Sequence, residues 1–169
     1  MIDIHILNDL KRRDWMNTVY DVDDAYDLLK DAMRIAAIYH HDKNDLSGER
    51  YISHLRRVAE KFDDPVLKIV AYLHDIVENC SVTLDELSCR FPKIIIDAVD
   101  ALTRRAYETY SEYKKRIAQN NIAVQIKIAD LHDNMNIFRV SKITQHDLDR
   151  TRKYVEFYNE LLTEYEKLI

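Results

Sequence analysis

Apolar positions recur at helical spacing along nearly the whole chain. Ala25, Leu28, Leu29, Ala32, Met33 and Ala36 fall at i, i+3, i+4 intervals, the stripe of a helix with one buried face. Asp23 or Asp24 stands where a cap would start it. A short helix follows around Leu55, Val58, Ala59 and Phe62. Asp64-Pro65 reads as a helix start, with a capping carboxylate and then a proline where the missing N–H does no harm. It leads into Val66, Ile69, Val70, Leu73 and Val77 as one continuous helical stretch. Thr83-Leu84-Asp85-Glu86 and Thr109-Tyr110-Ser111-Glu112 are capping boxes, and the first opens a short helix ending near Phe91-Pro92. Ile94 to Leu102 is the next helix. Its three consecutive isoleucines would suit a strand, but no second strand pattern exists to pair with them. Ala123 to about Ile137 carries Val124, Ile128, Leu131 and Met135 on one stripe, and the last helix carries Leu148, Val155, Tyr158, Leu162 and Tyr165. The pattern predicts an all-α fold, a single compact helical bundle over residues 21–169. Residues 1–20 read as an N-terminal extension, either a peripheral helix or an arm, in which Trp15 and Met16 suggest an interface.

Composition narrows the function. A chain of 169 residues with 47% hydrophobic positions suits one domain with a full core. A net charge of −5 argues against a general nucleic-acid binder, which needs a basic face. No apolar run is long enough for a membrane helix, and Met1-Ile2-Asp3-Ile4-His5 does not resemble a secretory signal. Cys80 and Cys89 form neither a disulfide framework nor a Cys-x-x-Cys zinc motif, so a reducing cytoplasm is the expected location. The single glycine, Gly48, excludes a Walker loop and a dinucleotide fingerprint, which need several glycines for close backbone approach to phosphate. Any phosphate chemistry here must rest on side chains and metal.

His74-Asp75 is the polar intrusion that matters most. An imidazole and a carboxylate inside Val70-Ala71-Tyr72-Leu73-His74-Asp75-Ile76-Val77 are costly to bury unless something pairs with them. Asp130 interrupts the apolar run Ile126-Lys127-Ile128-Ala129-Asp130-Leu131 in the same way, and His54 follows the one long polar stretch, His40 to Tyr51. Two imidazole nitrogens and two carboxylate oxygens form a ligand set for Mn²⁺, Fe²⁺ or Zn²⁺ that leaves positions for water and substrate. Glu78, four residues after His74, would share its helix face and could orient or deprotonate a water. Asn134, four after Asp130, offers an amide to a ligand. A buried His-Asp hydrogen bond is the bland alternative for His74-Asp75. His40 and His41 could form a second polar cluster, or simply meet a helix end. Tyr110 and Tyr113 could stack on a base or merely pack. Lys114-Lys115-Arg116 reads as a solvated helix face.

The order His, His-Asp, Asp, in the contexts Tyr-Ile-Ser-His, Tyr-Leu-His-Asp-Ile-Val-Glu-Asn and Lys-Ile-Ala-Asp-Leu-His-Asp-Asn-Met, resembles the HD-domain metal-dependent phosphohydrolases. Within them it is most similar to the Rel/Spo-type branch, which removes the 3′-pyrophosphate from guanosine alarmones. The resemblance covers roughly residues 25–160, and Asp100-Ala101-Leu102-Thr103-Arg104 also matches a recurring segment. It implies a helical HD domain with His54, His74, Asp75 and Asp130 as metal ligands, Mn²⁺ first, with Fe²⁺, Zn²⁺ or Mg²⁺ as alternatives. It implies catalytic roles for Glu78 and for position 79, where this chain has Asn79 in place of the usual Asp. Asn134 matches a position that contacts the nucleoside sugar. Lys127, Lys43 and Tyr51 would complete the substrate side. The branch tends to carry basic residues just before the Ser47-Gly48 turn, where this chain has Asp45 and Leu46.

The expected protein is therefore a metal-dependent phosphohydrolase acting on a small nucleotide, with no general nucleic-acid or membrane partner and with a homodimer as an option. Asn79, Asp45 and Leu46 motivate the alternative, a catalytically weakened metal- or nucleotide-binding module. A third reading is a related reaction on a nucleoside monophosphate, a triphosphate or a cyclic dinucleotide.

Overall fold

A computed structural model of the chain describes residues 22–168. The N-terminal extension, with Trp15 and Met16, lies outside the described residues. Two helices with apolar residues on every side form the centre. α3 (Pro65–Leu73) buries Leu67, Ile69, Val70, Ala71, Tyr72 and Leu73. α8 (Asn121–Asn134) buries seven apolar residues from Ile122 to Leu131, and carries Asp130 and Asp133 inward with them. A helix that is apolar all round must be covered all round. α3 is covered by α1 (Val22–Tyr39), α2 (Tyr51–Ala59), α6 (Lys93–Leu102) and α8 itself. α7 (Tyr110–Ala118) and the long α9 (Gln145–Glu166) close the far side of α8. The short α4 (Ile76–Asn79) and α5 (Leu84–Ser88) link α3 to α6. Among the described residues there is no strand, only one isolated bridge between Asn44 and Arg50.

Most helix starts follow the capping logic. The Asp64 carboxylate accepts from Val66 and Leu67 N–H, with Pro65 at the first turn. Both expected capping boxes form, at Thr83/Glu86 and Thr109/Glu112. A third, Thr144/Asp147, opens α9; an Asp in place of the usual Glu or Gln hid it in the sequence. α1 begins at Val22, so Asp23 and Asp24 lie in its first turn rather than at its cap. Met33, Leu148 and Val155 are exposed although they sit on the expected stripes. In α9 the half-buried line runs instead through Tyr154, Phe157 and Tyr158 to Leu161 and Tyr165.

One departure bears on function. The sequence predicts continuous helix from Pro65 to Val77, but α3 stops at Leu73 and a turn at His74-Asp75 precedes α4. The backbone at Asp75 has φ −109° and ψ 2°, off the helical basin. The His74 side chain supplies the reason. Its Nδ1 lies 2.7 Å from the Ala71 carbonyl, the acceptor that the Asp75 N–H would need to continue the helix. Glu78 therefore does not share a regular helix face with His74.

Candidate active site

The site lies where α2, the end of α3 and α8 meet. His54, His74 and Asp130 each offer one ligand atom, all within 4.8 Å of one another, and all three residues are buried. His54 Nε2 is 3.3 Å and His74 Nε2 is 3.7 Å from Asp130 Oδ1. Both imidazoles are oriented from behind: His54 Nδ1 lies 2.7 Å from Asp133 Oδ2, and His74 Nδ1 donates to Ala71. The two Nε2 atoms are thereby left facing Asp130. His74 Nε2 is fully buried with no hydrogen-bond partner. Asp75 sits at the edge of the trio, its Oδ2 3.2 Å from His74 Nε2 and accepting a hydrogen bond from the Tyr51 hydroxyl.

The electrostatics call for positive charge. Burial opposes ionisation of Asp130, but the Lys127 ammonium and the neighbouring imidazoles of His54 and His74 hold its carboxyl well below the usual range. Burial disfavours a charged His74, yet Asp75 and Asp130 push its pKa up to about 10. Two carboxylates, Asp130 buried and Asp75 partly so, therefore converge on one imidazole. An orphaned buried imidazole nitrogen among them suits a divalent cation, which would replace a proton in that role.

The other sequence-predicted residues fall into two groups. Lys127 and Asn134 grip the Asp130 carboxylate: Lys127 Nζ is 2.9 Å from Asp130 Oδ2, and Asn134 Nδ2 is 2.6 Å from Asp130 Oδ1. Tyr51, Asn79 and Lys43 form a chain on the other side. The Tyr51 hydroxyl donates to Asp75, the Asn79 amide lies 3.4 Å from that hydroxyl, and Lys43 donates to the Asn79 carbonyl. His40 is buried and stacks on Tyr51, centroids 4.8 Å apart. Burial, reinforced by the charge on Lys43, lowers its pKa to about 4, so it is neutral at pH 7. Glu78 is exposed, and its Oε2 accepts from the Arg104 N–H at 3.2 Å.

From Asp75, Glu78 and Lys127 a cleft of about 530 Å³ runs between α7, α8 and α9. Its walls are charged and aromatic, with Glu156 and Glu160 standing among the cations. Arg104, Lys114, Arg150 and Lys153 join Lys127, while Tyr110, Tyr154 and Phe157 supply ring faces. The Arg104 guanidinium lies 4.2 Å over the Tyr110 ring. Nε of Arg104 and of Arg150 are buried without an acceptor. Sequence alone suggests a solvated face for Lys114. It is in fact largely buried, pairing with Glu160 at the cleft wall, and Arg116 is tied to Glu108. Tyr113 is a packing residue whose hydroxyl donates to the Leu102 carbonyl. Arg150, Lys153, Tyr154 and Phe157 belong to no motif in the sequence. Their i, i+3, i+4, i+7 spacing on one helix was the available signal. Asp45 corrects another expectation. It is not merely a missing cation: its carboxylate is buried and paired with Arg57 and Arg139.

No family model matches the chain. Over 105 residues, 60% of its length, it is 27% identical to the guanosine-3′,5′-bis(diphosphate) 3′-pyrophosphohydrolase of Vibrio cholerae. The match spans only 15% of that protein. A solved structure of a metazoan ortholog of SpoT, described as hydrolysing ppGpp, superposes with a TM-score of 0.65 over 89% of this chain and 96% of that one, at 18% identity. The chain has the HD-type helical fold. In this HD-type bundle the clustered histidines and Asp130 come from three separate helical segments, so the site exists only once the core has packed.

Proposed function

We propose that the protein is a metal-dependent phosphohydrolase that removes the 3′-pyrophosphate from guanosine 3′,5′-bis(diphosphate) or a closely similar nucleotide. The observation that carries this reading is the buried, unpartnered His74 Nε2 facing Asp130 at the end of a cleft that holds Arg104, Lys127, Arg150 and Lys153. Both relatives described above are named for hydrolysis of this nucleotide, which supports the substrate class.

His54, His74, Asp75 and Asp130 would hold the divalent cation, Mn²⁺ first. Such an ion, when bound, lowers the pKa of water toward neutrality and polarises a phosphoryl oxygen. The chain's own groups do the rest. Tyr51 fixes the Asp75 carboxylate, and Lys127 and Asn134 fix Asp130. Glu78, at the cleft and steadied by the Arg104 N–H, accepts the proton of the attacking water. Arg104, Lys114, Arg150 and Lys153 take the phosphate oxygens, and the aromatic faces receive the base. Asn79 serves as a hydrogen-bond donor toward Tyr51 rather than as a proton acceptor. The reaction consumes water and yields a guanosine 5′-diphosphate and pyrophosphate. The substrate is a small nucleotide, and among the described residues no helix is long and apolar enough to cross a membrane.

The test is chromatography of guanosine 3′,5′-bis(diphosphate) incubated with the protein and Mn²⁺, beside the Glu78→Gln variant. Stoichiometric pyrophosphate from the wild type alone supports the reading. No release from this substrate, nor from nucleoside mono- and triphosphates or cyclic dinucleotides, would leave the non-catalytic binding module in its place.

A further inference from the structure

Behind His54, away from the ligand cluster, lies an ion network that the proposed chemistry does not use. The Asp133 carboxylate accepts from His54 Nδ1 at 2.7 Å, from Arg57 Nε at 2.9 Å and from Arg139 Nη2 at 3.2 Å. The same two arginines meet again on Asp45 Oδ2, Arg57 Nη2 at 2.7 Å and Arg139 Nη1 at 2.8 Å. Arg57 also donates to Glu49 at 2.7 Å. The other oxygen of Asp45 organises the turn: Oδ1 accepts from Ser47 N, Ser47 Oγ and Glu49 N at 2.9, 2.7 and 3.1 Å. That turn is closed by Gly48 at φ 84°, a left-handed conformation that glycine adopts without strain. The side chains of Asp45 and Asp133 are 4% and 6% exposed, so each is a buried charge matched by the two guanidinium forks.

The arrangement has a direction. Asp133 decides which nitrogen of His54 carries the proton and aims the other at Asp130. Arg57 and Arg139 hold Asp133 in place. Asp45 holds the arginines, and the 43–50 turn is folded around Asp45. A carboxylate orienting a ligand imidazole is strongest when it cannot rotate, and here both its oxygens are engaged by arginines.

We propose that Asp133 is a positioning residue for the metal ligand His54, and that Asp45, through Arg57 and Arg139, couples the 43–50 turn to the metal site. This rests on the metal site of the preceding section. On this view Asp45 is where it is because it completes the support of His54. Phosphate recognition is left to the cations of the cleft on the other side of the site.

The experiment is Mn²⁺ titration of the metal-stripped protein by calorimetry, with circular dichroism and thermal melting on every variant. Asp133→Asn keeps the shape but loses the charge, and should weaken Mn²⁺ about 10- to 100-fold. Asp45→Asn touches no ligand, and should weaken it roughly 2- to 30-fold, the range carried by a contiguous network. Thr83→Ala removes a helix cap far from the network, and should lower the melting temperature without changing Mn²⁺ affinity. Folded Asp133→Asn and Asp45→Asn proteins that bind Mn²⁺ as tightly as the wild type would overturn the positioning role while leaving the metal site standing. So would losses in all three variants that merely track melting temperature. A wild type that binds no Mn²⁺, Fe²⁺ or Zn²⁺ would remove both proposals together.

Discussion

His74 Nδ1 lies 2.7 Å from the carbonyl oxygen of Ala71, and this one contact both stops α3 and fixes which ring nitrogen faces Asp130. The residue is thus a helix terminator and a candidate ligand at once. Its Nε2 is left buried without a partner. A buried polar atom without a partner is destabilising, and a bound cation removes that penalty.

Removing this nitrogen should empty the site. Dialysed wild-type protein is expected to retain about one divalent ion per chain by plasma mass spectrometry, and His74→Ala and Asp130→Ala to retain essentially none. Asp130→Ala also strands the Lys127 ammonium, so it should lose about 3–5 kcal/mol of stability in urea unfolding.

Glu78 is exposed at the cleft and is not in the ligand cluster. Glu78→Gln should therefore leave metal content unchanged while lowering kcat about 10²- to 10⁴-fold, the usual contribution of a positioned base. Equal turnover in the two proteins would assign the proton to another group.

Arg150 lines the cleft with a buried, unpartnered Nε and a single ion pair to Asp147 at 2.7 Å. Arg150→Gln should raise KM for the polyphosphate about tenfold with a smaller change in kcat, since one charged hydrogen bond contributes about 1.5–3 kcal/mol. The effect should shrink at high salt.

His40 supplies a pH signature. Its folded-state pKa is about 4, against 6.5 for an unperturbed histidine, because burial and then the nearby Lys43 ammonium disfavour its charge. As pH falls from 6.5 toward 4, the unfolded chain takes up a proton that the folded chain refuses. The contribution of His40 to stability therefore declines through that window and is constant above it. His40→Asn should remove this segment of the curve, measured by urea unfolding between pH 4.5 and 7.5.

The helical architecture was readable because its causes are local. Asp64-Pro65, Thr83/Glu86 and Thr109/Glu112 each announce a helix start within four residues, and Val124, Ile128 and Leu131 mark a buried stripe of α8. The break at His74-Asp75 was not readable, since a side chain outcompeted a backbone donor for the Ala71 carbonyl. Asp133 and Asp45 were legible only as acidic residues. Their meaning depends on Arg57 and Arg139, which come from distant parts of the chain and meet only in the folded protein. The cleft was half visible: Arg150, Tyr154 and Phe157 share a helix face, but the wall opposite them is built by α7, whose Lys114 looked like an ordinary surface lysine.

The turn after α3 also separates what the site must keep from what it can vary. His74 is locked to the helix before the turn, whereas Glu78 and Asn79 belong to a four-residue segment on the other side of it. A substitution at exposed position 79 lies beyond the turn and does not touch the contact between His74 and Ala71. Chemistry at this edge of the cleft can thus be retuned one residue at a time, while the nitrogen that faces Asp130 stays where the buried core has put it.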